Sequence, residues 1–214
     1  MSHRTRIAAL VVVLVPGLVA CGGHHSSSGP SSTELLVQHN AQFNDGRTVR
    51  WPALPVRVAI NGLGTPDEVT AWTSATGGAV TFAFVGGPIG NGVNMRGTGS
   101  SEVCGMTTVE YGSDGVITSA DITLGLPIYR GPQCVRTVTH ETGHAIGFLN
   151  HTANGGLMDD DGGNGQFNAE VTETIQDLYA LAPGTFVGRG ERPRLGLEPR
   201  GRRTLVFVTY PRRR

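Results

Sequence analysis

The sequence predicts a mixed α/β fold of the α+β type, with a twisted mixed β-sheet, a central helix and a C-terminal helix. Three observations support this class. Segments of strand and helix character alternate between residues 54 and 125, and residues 168–181 have the 3.6-residue apolar period of an amphipathic helix. Glycine is abundant, at 32 residues, while charged residues are sparse, which suits a loop-rich extracellular domain. Residues 34–184, about 150 residues, suffice for one domain with its own core.

The N-terminus has the features of an export signal followed by a tether. Two arginines precede a short apolar run, which proline and glycine interrupt before it could span a membrane. We therefore expect residues 1–20 to be a signal peptide. The sequence LVAC resembles a bacterial lipoprotein box, which implies that Cys21 is lipidated and anchors the exported protein to the bacterial cell membrane or to the outer membrane surface. Residues 21–33 would then be a flexible tether, and secretion without a lipid is the alternative.

Strands and a helix are expected in the first half of the domain. Residues 65–77 are predicted to form a helix, because Thr65 is a suitable N-cap and is followed by proline and two acidic residues. The flanking segments are rich in β-branched residues, and the last two alternate around a glycine-containing turn. The predicted strands are LPVRVAIN (54–61), VTFAFV (80–85), CGMTTVEY (104–111) and GVITSADITLG (115–125).

Residues 140–151, HETGHAIGFLNH, carry most of the functional information. On a helix, His140 and His144 project from one face about one turn apart, which allows both imidazoles to bind one Zn²⁺. Glu141 is displaced around the helix, where it could act as general base on a water at the metal. Gly147 can end the helix and let the chain return His151 as a third ligand. An amphipathic helix with solvated or core histidines is the alternative.

This motif resembles that of the metzincins, zinc endopeptidases with a third histidine and a methionine turn. The resemblance implies that Met158, in the sequence GGLMDDDG, forms an apolar floor beneath the histidines. It also implies a matrixin-like, zincin-like fold in which the strand 104–111 is the upper edge of the cleft and pairs with an extended peptide substrate. The family pattern places its third ligand at Asn150, so His151 requires a one-residue insertion. Some metzincins have a tyrosine where this chain has Asp160.

Three aspartates, Asp159 to Asp161, follow the methionine. They could line a pocket for basic side chains, bind a structural Ca²⁺ through carboxylate oxygens, or belong to a solvated loop. The solvated loop is the preferred interpretation, and calcium is a secondary expectation beside zinc.

Cysteine usage fits an exported protein. If Cys21 carries lipid, Cys104 and Cys134 remain as an even pair in an oxidising compartment. A disulfide between them would stabilise the domain by roughly 3–4 kcal/mol. Free buried cysteines are the alternative.

An acidic body is followed by a basic tail. Residues 22–188 contain 15 acidic residues and six arginines, whereas residues 189–214 contain nine arginines and two glutamates. Within the tail, 185–214, disorder is the first expectation; it could instead contact anionic lipid or glycan, or fold back on the body. Residues 205–210 could form a short strand, but no partner strand is evident. Nucleic-acid binding is not expected of a lipid-anchored exported protein.

The sequence thus predicts a membrane-tethered zinc endopeptidase that acts on protein or peptide substrates. Two other classes stay open. A gluzincin-type peptidase would use Glu170 or Glu173 as its third ligand, and a catalytically idle zinc-binding surface lipoprotein would not be an enzyme at all.

Overall fold

A computed structural model describes residues 30–188 and 201–212 of the protein. It contains four α-helices and a mixed six-stranded sheet, which confirms the α+β class. The signal peptide and Cys21 lie outside the described residues. The helices are α1 (Ser32–His39), α2 (Pro66–Ala75), α3 (Thr137–Ala145) and α4 (Ala169–Ala180), with a short 3-10 helix at Ala41–Asn44. The strands are β1 (Val56–Ala59), β2 (Phe82–Phe84), β3 (Val93–Thr98), β4 (Gly105–Gly112), β5 (Ile117–Gly125) and β6 (Arg202–Thr209).

The sheet has the order β2-β1-β3-β5-β4-β6. Its first four strands run parallel, and β4 is antiparallel to both β5 and β6. Helix α3 contacts β4 and β5 as well as α2, so it lies between the sheet and the second helix. Every residue of α3 is buried. The helix expected to carry the site therefore lies in the centre of the domain.

Helix starts follow the signals in the sequence. The side chain of Thr65 caps α2, and the Glu68 carboxylate accepts a hydrogen bond from the Thr65 backbone N–H at 2.8 Å, which completes a capping box. Ser31 and Glu34 form the same arrangement before α1. Helix α1 begins before residue 34, where the sequence predicted the domain to start. In α4, the apolar period buries Val171, Ile175 and Leu178 against the core.

The tail differs from its sequence-based expectation. Disorder was wrong for residues 201–212, because Arg202–Thr209 pairs with β4 along the whole strand. The segment alternates β-branched and aromatic residues, and its arginines meet acidic groups of the body, which is the fold-back alternative. Arg202 lies 3.2 Å from Glu110, and Arg203 lies 2.7 Å from Asp45.

The expected cleft edge is also corrected. Strand β4 is not an edge strand in this structure, because β6 covers the side that faces away from β5. Any extended peptide that pairs with β4 would have to replace β6. Across the described ranges, 30–188 and 201–212, no helix is long and apolar enough to cross a bilayer.

A disulfide joins Cys104 to Cys134, with a Cα–Cα distance of 5.4 Å, and confirms the predicted pair. Cys104 directly precedes β4, and Cys134 lies three residues before α3 begins. The bond thus fixes the start of a sheet strand to the segment that leads into the central helix.

Removing this disulfide is expected to destabilise the domain without abolishing its fold. For a separation of 30 residues, the loop-closure model gives a loss of about 3–4 kcal/mol in the free energy of unfolding. Urea denaturation of the double variant Cys104→Ser/Cys134→Ser against wild type measures this loss. An unchanged unfolding midpoint would contradict it.

Candidate metal centre

Helix α3 and the turn after it bring the three predicted histidines together. His140 and His144 lie one turn apart on α3 and are fully buried. Gly147 ends the helical segment with a φ of 110°, and a Cβ there would lie 2.8 Å from the Val49 carbonyl oxygen. Glycine is required at this position because both the backbone conformation and the space exclude a side chain. The chain then turns and returns His151 to the helix.

The three imidazoles converge through their Nε2 atoms. The Nε2 atom of His144 lies 3.1 Å from that of His140 and 3.1 Å from that of His151. The potential ligand atoms of the group all lie within 4.8 Å of one another. Tetrahedral zinc with nitrogen ligands at 2.0–2.1 Å would separate neighbouring nitrogens by roughly 3.3 Å. The observed spacing is compatible with one zinc ion.

The outer nitrogens determine which tautomer is present. His140 Nδ1 lies 2.6 Å from the Leu157 carbonyl oxygen, and His144 Nδ1 lies 2.7 Å from that of Phe148. A carbonyl oxygen only accepts hydrogen bonds, so Nδ1 carries the proton in a neutral ring and Nε2 has a free lone pair. Backbone partners on the outer nitrogen are the usual way in which proteins orient histidine ligands.

Burial keeps these rings neutral. Desolvation lowers the pKa of His140 to about 3 and lowers the pKa of His144 well below its ordinary value. The pKa of His151 is also lowered, chiefly by burial. At neutral pH the unprotonated Nε2 atoms of His140 and His144 therefore face each other, with the neutral ring of His151 beside them. A cation bound among them would relieve that arrangement, and three neutral imidazoles are a donor set that suits zinc.

The competing third ligands point elsewhere. Asn150 donates its amide to the Gln38 carbonyl oxygen at 3.2 Å, and its side-chain oxygen accepts the backbone N–H of His151 at 2.9 Å. Glu170 accepts hydrogen bonds from His39 and Asn154, each at 2.7 Å. Glu173, the other acidic candidate, is exposed on α4. In the part of the chain that the structure describes, the three histidines are the group of potential ligands close enough to share an ion.

Glu141 is buried next to His140, and two hydroxyl groups donate hydrogen bonds to its carboxyl group. Thr107 of β4 donates to Oε2 at 2.5 Å, and Thr209 of β6 donates to Oε1 at 2.6 Å. Burial raises the pKa of Glu141 to about 7, and the two hydroxyl donors partly oppose that rise. A carboxyl group with this pKa can exchange a proton near neutral pH.

Met158 lies beneath the centre of α3. Its side chain is fully buried, and a Cβ placed on Gly143 would come 2.6 Å from its sulfur and 2.5 Å from a ring carbon of Trp72. Gly143, between His140 and His144 on α3, therefore allows close approach of the Met158 and Trp72 side chains. The preceding residue, Leu157, supplies the carbonyl oxygen that orients His140. The methionine turn thus supports the site through both packing and a hydrogen bond.

The aspartates after Met158 mainly stabilise their own loop. Asp159 accepts hydrogen bonds from the Thr152 hydroxyl and from the backbone N–H of Gly155. Asp161 accepts the backbone N–H of Gly163 at 2.8 Å. These contacts fit a structured loop, and the calcium site stays a prediction.

Three residues at the site were not predicted from the sequence. Thr107 belongs to no recognisable motif. Its place on the alternating strand 104–111 indicated only that its side chain lies on one face of the sheet. Phe207 stacks on the ring of His144, with centroids 4.3 Å apart and planes inclined by 10°, and Thr209 binds Glu141. Both belong to the tail, for which the sequence supplied no partner.

Comparisons with known proteins do not identify a family. No family model matches the chain, and no curated protein matches it.

Replacing His151 is expected to weaken zinc binding strongly. Removing a residue that only hydrogen-bonds to a metal ligand typically lowers metal affinity about 10–100-fold. His151→Ala removes a proposed ligand itself and should therefore lower zinc affinity by more than about a hundredfold. Competition with a chromophoric chelator measures the dissociation constant. Asn150→Ala is the matched control and should stay within about tenfold of wild type. Unchanged affinity in His151→Ala would remove His151 from the ligand set.

Adding one methyl group at Gly143 is expected to destabilise the site. The new Cβ would overlap Trp72 and Met158, and overpacking of this kind costs about 1–3 kcal/mol. Gly86→Ala is the control, because a Cβ there meets nothing within 4 Å. Thermal unfolding of the two variants measures the difference, and equal midpoints would show that α3 and Met158 do not pack as described.

Proposed function

We propose that this protein is a zinc-dependent endopeptidase of the metzincin type, matrixin-like in its fold. The observation that carries the proposal is the convergence of the Nε2 atoms of His140, His144 and His151 beside the buried carboxyl group of Glu141. The strand order, the glycine that ends α3 and the buried Met158 are compatible with this proposal.

Zinc, when bound by the three histidines, supplies Lewis acidity that activates water and polarises a peptide carbonyl group. Glu141 supplies the proton transfer. Its carboxylate takes a proton from the attacking water and passes it to the amine that leaves, so one group serves both halves of the hydrolysis. The pKa of about 7 suits this exchange, because the group can be deprotonated before the attack and protonated after it.

The histidines have positioning partners that the chain itself provides. The carbonyl oxygens of Leu157 and Phe148 hold the rings of His140 and His144 in one orientation. This fixes their lone pairs toward the shared ion and keeps both rings neutral. We further propose, from the lipoprotein-box resemblance at Cys21, that the enzyme acts at a membrane surface on protein or peptide substrates.

A zinc-binding protein without catalytic activity is the second candidate. The observation that favours it is the tail, because Thr209 occupies one oxygen of Glu141 and Phe207 covers His144. In this alternative the same residues would bind zinc and stabilise a surface lipoprotein.

Substitution of Glu141 separates the two candidates. For the endopeptidase, Glu141→Gln is expected to keep one zinc per chain and to lose about 10²–10⁴-fold in casein cleavage, the usual contribution of a general base. Glu102→Gln makes the same change at an exposed position and should retain wild-type cleavage. Stoichiometric zinc without cleavage by any form, including forms with a displaced tail, would support the non-enzymatic alternative.

A further inference from the structure

Strand β6 occupies the side of β4 that lies next to the metal centre. The pairing is antiparallel and continuous, from Gly105 opposite Thr209 to Gly112 opposite Arg202. The backbone groups on this side of β4 can serve only one partner strand at a time. A second extended segment therefore cannot pair there while β6 is in place.

The inner side chains of β6 reach the candidate metal centre itself. Phe207 lies flat on the ring of His144 and edge-on to that of His151, with centroid distances of 4.3 and 6.5 Å. Two residues further, the Thr209 hydroxyl donates to Glu141. Thr209 is 1% exposed and Phe207 is 9% exposed, so the two side chains shield His144 and Glu141 from water.

Beyond the strand, the tail is held from two sides. The Thr209 carbonyl oxygen accepts the N–H of Cys104 at 2.8 Å, next to β4. The N–H of the next residue, Tyr210, donates to the Asp160 carbonyl oxygen at 3.1 Å, in the loop after Met158. The tail thus bridges the strand on one side of the centre and the methionine-turn loop on the other.

The end of the segment adds a charged contact. The Arg212 backbone N–H donates to the Gln133 carbonyl oxygen at 3.0 Å, and its guanidinium group lies 3.8 Å from the carboxylate of Asp161. This is the loop that the sequence suggested as a pocket for basic side chains. Here the basic side chain comes from the protein's own tail.

We infer that the C-terminal segment, residues 201–212, is an intramolecular inhibitor that binds in the substrate cleft in the manner of an extended peptide. This inference rests on the proposed peptidase function. The segment blocks the pairing edge of β4, covers the ligand His144 and binds the carboxylate of Glu141. Covalent attachment gives such a segment an effective concentration on the order of mM, so it stays bound without exceptional intrinsic affinity. A substrate gains access only when the segment leaves the cleft.

The test uses the zinc-loaded full chain in four forms. The first is wild type. The second is the double variant Phe207→Ala/Thr209→Val, which removes the two side-chain contacts with the metal centre but leaves the backbone and length of the segment unchanged. The third, Val206→Ala, is the matched control, because Val206 is on the same strand and 55% exposed. Thr209→Val alone is a milder variant with the same expected direction. Amide hydrogen exchange reports segment docking independently of activity, and casein cleavage reports access to the centre.

The expected result has two parts. Amides of residues 204–209 exchange slowly in wild type and Val206→Ala, and at least about tenfold faster in the double variant, while α4 stays protected in all forms. Casein cleavage rises by at least about tenfold in the double variant and stays at the wild-type rate in Val206→Ala. A synthetic peptide of residues 201–212 restores inhibition of the double variant, and the same peptide with Phe207→Ala does so less effectively.

Four outcomes would overturn the inference. Unprotected amides at 204–209 in wild type would show that the segment is not docked. Faster exchange without faster cleavage in an active protein would show that docking does not limit access. A fall in cleavage in the double variant would make β6 a supporting strand of the working site. Zinc-loaded forms that never cleave, with the expected exchange pattern, would refute the proposed function, and the inhibitory role with it, while leaving the docked segment established.

Discussion

Two hydrogen bonds from imidazole rings to backbone carbonyl oxygens determine the geometry of the candidate metal centre. Leu157 and Phe148 offer carbonyl oxygens to the outer nitrogens of His140 and His144, so the inner nitrogens are left without protons in a buried space. Neither carbonyl belongs to α3 itself. One comes from the methionine turn and the other follows the glycine that ends the helix. The ligand geometry therefore depends on how the chain leaves α3 and returns to it, which explains why glycine is required at position 147.

The surrounding core supports this arrangement through close packing. Trp72 of α2 donates its indole N–H to the Thr139 carbonyl oxygen at 2.7 Å. Met158 packs on Gly143 from the turn below the helix. The disulfide holds β4 to the segment before α3, and β4 supplies the threonine that binds Glu141. The positions of the Glu141 carboxyl group, the histidines and strand β4 thus depend on one set of contacts around α3.

Local signals in the sequence were sufficient to predict helices α2 and α4 and the placement of His140 and His144. The N-cap at Thr65, the apolar period of residues 168–181 and the i, i+4 spacing of His140 and His144 depend on near neighbours, and each is confirmed by the structure. Non-local pairing was not predictable in the same way. Strand β6 has a suitable alternation, but its partner is about a hundred residues away, and the arginines around it favoured disorder. Strand β3 lies in a glycine-rich segment with little strand character. The contacts of Phe207 and Thr209 followed from that missed pairing.

Metal binding by the three histidines and inhibition by the tail are separate hypotheses, and the second depends on the first. If the three histidines do not bind one ion, neither catalysis nor its inhibition by the tail has a basis. X-ray absorption spectroscopy at the zinc edge of the full chain, loaded with one equivalent of zinc, measures the ligand set directly. Three imidazole nitrogens at about 2.0–2.1 Å from the metal are predicted. A spectrum with one imidazole or none, or with sulfur ligands, would contradict the assignment of His140, His144 and His151.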